Sequence, residues 1–104
     1  MGGGISFNPN LSDVDGTSYV SSVLTVTTTE IQAKVGAANL TGRQSLVLYN
    51  KSSVTVYYGP TGVSQTTGIP LLPNQILSMN FGEGINVFLV VATGSASVII
   101  QEVG

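Results

Sequence analysis

The side chains in this sequence best suited to acid–base chemistry are five carboxylates, and their spacing gives them little to do together. Asp13 and Asp15 sit two residues apart near the start, while Glu30, Glu83 and Glu102 are spread over the rest. A glycosidase needs two carboxyl groups held at a set separation across a sugar ring, and nothing here organises such a pair. His and Cys are absent, and Lys34, Arg43 and Lys51 are scattered. Nucleophilic and general acid–base catalysis lean on the missing types. The sequence therefore predicts a protein that is not an enzyme and carries no catalytic residue, no cofactor and no metal site.

Short motifs point the same way. Asp13-Val14-Asp15-Gly16 has the opening of a calcium loop, but the position that must hold the bidentate Glu is Leu24, so the segment reads as a polar turn. The first six residues, MGGGIS, fit the N-myristoylation pattern, yet that pattern is short and common, and a flexible start is the simpler reading. Gly59-Pro60-Thr61-Gly62 and Gly82-Glu83-Gly84 lack the Lys-Ser/Thr of a phosphate loop and read as turns. Tyr49, Tyr57, Tyr58, Phe81 and Phe88 are the candidates for an aromatic platform under a sugar or a base. Their strand positions favour packing, and no basic groove accompanies them, so nucleic acid is not an expected partner.

The elements that would position these residues are strands. The chain is rich in Val, Ile, Thr and Ser, and no window carries a 3.6-residue apolar period. Residues 1–18 hold three successive glycines, Asn-Pro-Asn and Asp-Gly, and read as an extended arm with Ile5, Phe7, Leu11 and Val14 as apolar anchors along it. Residues 19–104 read as one domain. Residues 19–29 (YVSSVLTVTTT) are β-branched; Ile31, Ala33 and Val35 alternate with polar partners. Residues 45–50 (SLVLYN) form a strand that stops at Asn50-Lys51-Ser52-Ser53, which has hairpin-turn chemistry, and Val54, Val56 and Tyr58 return on one face. Pro70 and Pro73 confine residues 63–74 to an edge or loop with at most a short strand. Residues 75–81, 85–92 and 97–103 are further strands, the second of them the most apolar and central, with Val87 and Leu89 in the core. Seven to eight short strands separated by Gly, Pro and Asn predict an all-β antiparallel sandwich or jelly roll.

Composition adds an expectation about partners. Charged residues are 8% of the chain, against about 25% in ordinary soluble domains. So few charges suggest that part of the surface is covered by another subunit. No segment is long and apolar enough to span a bilayer, and the first residues lack the basic stretch of a secretory signal, so neither a membrane nor secretion is expected.

From Gly42 onward the chain resembles small structural proteins of tailed bacteriophages: head decoration or cement proteins and fibre-associated domains. The residues that carry the likeness are GRQSLVLYN (residues 42–50), SVTVYYG (residues 53–59), Gly62-Val63, Gly68-Ile69-Pro70-Leu71, GSASV (residues 94–98) and Glu102-Val103. The resemblance implies a virion component on the capsid surface, made in the host cytoplasm. It implies a homo-oligomer, a trimer, that meets the major capsid protein or another virion protein. On that reading Ile5, Phe7, Leu11 and Val14 of the arm lie in the interface, together with Tyr58. The alternative is a receptor- or carbohydrate-binding module of a tail or fibre, and Tyr58, at the end of its strand, is the residue that favours it.

Overall fold

The computed structural model describes residues 18–104. Among them are eight strands and no helix: β1 (Tyr19–Val26), β2 (Ile31–Gln32), β3 (Ser45–Asn50), β4 (Val56–Gly59), β5 (Ile69–Leu71), β6 (Ile76–Met79), β7 (Phe88–Val91) and β8 (Ala96–Val103). They form two four-stranded sheets in a sandwich-like, all-β arrangement. The first has the order β1-β8-β3-β6 and the second the order β2-β7-β4-β5. Every pairing is antiparallel.

The pairings have a simple logic. β1 pairs with β8, β2 with β7, β3 with β6 and β4 with β5. These are the pairs of one long hairpin whose tip is the β4–β5 connection. Two further ladders, β3 with β8 and β4 with β7, roll that hairpin into two layers. Each other connection crosses from one sheet to the other. The segment at Asn50-Lys51-Ser52-Ser53 is one such crossing, so the expected β-hairpin there is not formed: β3 and β4 belong to different sheets. The physical reason is Asn50, whose buried side chain both shapes the local turn and ties the segment to Leu71 in the other sheet. Its Nδ2 donates to the carbonyls of Val54 (2.7 Å) and Leu71 (3.0 Å), and its Oδ1 accepts from the amide and hydroxyl of Ser52. A fully buried amide with all these bonds made costs little and specifies the crossing.

Period-2 alternation builds the core. Leu46 and Leu48 of β3 and Ala96, Val98 and Ile100 of β8 point inward from the first sheet; Val56, Leu71, Leu89 and Val91 meet them from the second. Val87 and Leu89 are buried, as the sequence predicts, and β7 lies inside its sheet. Ala33 is fully buried, but the strand expected around it narrows to Ile31–Gln32, continued by one bond from the Ala33 amide to the Val87 carbonyl.

Candidate functional site

Two of the six charged side chains of the described domain are buried inside it. Arg43 and Glu102 are buried and paired, Nη1 to Oε2 at 2.8 Å. Arg43 also donates from Nε to the Phe81 carbonyl (3.0 Å) and from Nη2 to the carbonyls of Gly82 (3.0 Å) and Ile85 (2.6 Å). Glu102 accepts from the amides of Val35 (3.0 Å) and Leu40 (3.1 Å). Burial presses the Glu102 carboxyl toward a higher pKa, but the two amides and the guanidinium outweigh it and hold the group below its ordinary 4.5. The pair pins two loops to β8. Period 2 puts Glu102 with Val98 and Ile100 on the core face of β8.

The other described carboxylates hold turns. Glu30 lies between β1 and β2 and accepts from the Gly62 amide (2.7 Å) and the Thr61 hydroxyl (3.1 Å), fastening the turn after β4. Glu83 accepts from the Gly42 amide (2.9 Å). Each glutamate among the described residues therefore has a structural partner.

With those charges engaged, the outer face of the first sheet carries none. Its side chains are Tyr19, Ser21, Val23 and Thr25 on β1; Ser97, Ile99, Gln101 and Val103 on β8; Ser45, Val47 and Tyr49 on β3; and Ile76 and Ser78 on β6. The registers line up Val23 with Ile99, Ile99 with Tyr49, and Tyr49 with Ile76, so one apolar row crosses all four strands. Its ends are open, with Val23 58% and Ile76 65% exposed. A shallow depression of about 310 Å³ runs between Val47, Tyr49, Ile76, Ile99 and Gln101. The Tyr19 hydroxyl closes one corner by donating to Gln101 Oε1 (2.8 Å).

A second feature lies on the other side of the molecule. Tyr58, half-buried in β4 and packed against the core, lines an apolar cleft of about 250 Å³ with Pro60, Ile69, Phe81, Ile85 and Val87. Asn86 lies on its rim and accepts bonds from Gln32 and Asn39. The aromatics do not make one platform: Tyr49 is on the outer face of the first sheet, and Tyr57 alternates with Tyr58 across the second. Ile5, Phe7, Leu11 and Val14, together with the Asp13–Gly16 segment and the acylation-like start, lie outside the described residues. The Arg43–Glu102 pair and the apolar row are not legible as units in the sequence; parity along SVIIQEV and SLVLYN turns Glu102 inward and Ile99 and Tyr49 outward, but names no partner for any of them. Set against protein-family models, curated proteins and solved structures, the chain matches none of them.

Proposed function

We propose that this chain is a non-enzymatic structural protein of a tailed-bacteriophage virion, a decoration or cement protein that binds the assembled capsid and stabilises it. The observation that carries this reading is the uncharged outer face of the first sheet, with its apolar row Val23–Ile99–Tyr49–Ile76. A soluble monomer seldom leaves a whole sheet face without a charge, and such a face gains stability when another protein covers it. Covering an exposed Val or Ile is worth about 1–2 kcal/mol at about 25 cal/mol per Å². A cement that binds only the intact shell shifts the balance toward that shell by mass action. The strand order β1-β8-β3-β6 over β2-β7-β4-β5 supports a jelly roll; of the arm expected over residues 1–18, Ile5, Phe7, Leu11 and Val14 lie outside the described residues.

The test is location. Antiserum raised against the purified chain should label particles released from lysates of the source culture, and Tyr49→Lys combined with Ile76→Lys should abolish the label while the chain stays folded. Absence of the unaltered chain from purified particles overturns the reading. The Tyr58 cleft, apolar with amides on its rim, favours a second reading, a glycan-binding module of a tail or fibre. Glycan-array binding that is lost in Tyr58→Ala would move the function there.

A further inference from the structure

Among the described residues the longest edge strand carries no partner on its outer side, and its backbone is matched to itself. β1 is at the end of its sheet, and among the described residues nothing pairs with its other side. It runs eight residues in unbroken register with β8 and contains no charge, no Pro and no bulge. Edges of this kind are templates for another strand.

The hydrogen-bond phase says which groups are free. Ser18 and Gly104 exchange both bonds, amide to carbonyl at 3.0 Å and 2.9 Å. Bonded and non-bonded pairs alternate along an antiparallel ladder. Val20, Ser22, Leu24 and Val26 therefore bond to β8, and Tyr19, Ser21, Val23 and Thr25 turn their N–H and C=O groups outward. The far side of β8 agrees, since the carbonyls of Ser97 and Val103 accept from Lys51 and Gln44 next to β3.

We propose that β1 pairs antiparallel with β1 of a second copy about a two-fold axis at Ser22, joining two sheets into one of eight strands. This rests on the reading of the chain as an assembly-forming protein. Centred on Ser22, the register sets Tyr19 against Thr25 and Ser21 against Val23, each twice, so every outward group of both edges finds a partner. Moving the centre by one residue either way leaves an end residue of each edge unpaired. β1 itself brings no charge to the axis, and Lys34 is the one charged side chain lining the groove beneath it. Below the edge is a groove of about 460 Å³ lined by Leu24, Ile31 and Val35, among others, which receives the partner's inward side chains, Val20 of the partner subunit opposite Leu24. An isologous contact closes at two copies, so the edge gives a dimer where the resemblance implies a trimer.

The chain has no Cys, so single cysteines are clean probes. Ser22 meets its own copy as a non-hydrogen-bonded pair, with Cα atoms about 4.5 Å apart, within the range a disulfide needs. In the full chain, Ser22→Cys should oxidise mostly to a linked dimer, while Ser78→Cys, exposed on β6, should link only at the background level of random collision. Ser21→Pro removes one outward N–H without touching the β8 ladder and should bring the light-scattering mass from two chains to one with the fold unchanged. A wild-type mass of one or three chains, or equal linking of both cysteines, overturns the edge pairing. A monomeric Ser21→Pro chain that still labels particles leaves both proposals standing; a dimer absent from particles overturns the virion reading and spares the edge.

Discussion

The two sheets treat their free surfaces in opposite ways. In β2-β7-β4-β5 the edge strands have two and three residues, and the longer one carries Pro70 at its centre. The loop 60–68 folds back on β4: Val63 is buried beside Gly59, and Gly68 lies so close to Tyr57, Val63 and the Ser64 carbonyl that a Cβ there would stand 2.8–2.9 Å from each. In β1-β8-β3-β6 one edge has eight residues and the outer face is bare. Short edges, proline and a covering loop are the usual means of keeping a sheet from its neighbours. One sheet uses all three, and among the described residues the other leaves an eight-residue edge strand open. On the proposed reading, the contrast points to the β1-β8-β3-β6 sheet as the side that meets other chains.

The largest effect should come from removing the support under the open sheet. Glu102→Gln leaves the Arg43 guanidinium buried without its counter-charge, and losing one partner of a buried pair costs about 3–5 kcal/mol. Chemical denaturation should show that loss, and with β8 loosened the dimer should weaken as well. Acid should act in the same direction. The Glu102 carboxyl has a folded pKa below its ordinary 4.5, so its stabilisation is full above that value and fades as pH falls through the folded pKa. Thermal melts of the wild type should decline below about pH 4.5, and those of Glu102→Gln should decline less over the same interval.

The two sides of β1 can be separated with one residue type. Ser22→Pro removes an N–H that bonds to Ile100, leaving a buried carbonyl unpaired at a cost of about 1–3 kcal/mol before any steric term. Ser21→Pro, one position away, keeps every bond to β8 and should cost the monomer distinctly less than Ser22→Pro. Equal losses in denaturation would show that both residues face β8 and would erase the distinction between the sides. On the other sheet, Gly68→Ala tests the covering loop. The added methyl meets the Tyr57 Cβ and a backbone oxygen, neither of which is a flexible tip, so the cost should be about 1–3 kcal/mol.

How much of this was readable from the sequence follows from the physics of each element. The strands of residues 45–50 and 85–92 were legible because β-branched and aliphatic runs end at Gly or Asn. The central place of β7 followed from its being apolar on both faces. The hairpin at residues 50–53 was misread because turn residues report a reversal and not which sheet the chain enters next. Asn50 shares parity with Leu46 and Leu48, and that parity, not its residue type, decides that it points inward. The Arg43–Glu102 pair spans 59 residues, and a contact at that separation leaves no local trace. The apolar row needed the registers of three ladders at once. The anchors Ile5, Phe7, Leu11 and Val14 belong to the segment outside the described residues.

The smallest effect should come from Pro70→Thr, and it asks which feature closes the β5 edge. Proline supplies no N–H, so the substitution restores the one donor that the middle of the strand lacks. If proline were the barrier, the restored edge would recruit a further copy and the scattering mass would rise above that of the dimer. If shortness is the barrier, three residues cannot offer a ladder long enough to offset the entropy of association, and the mass should stay where it is. The second outcome is expected, with monomer stability altered by less than about 1 kcal/mol. Edge length then decides where the domain associates: β1 has eight residues in continuous register, β5 has three, and a single donor does not bridge that difference.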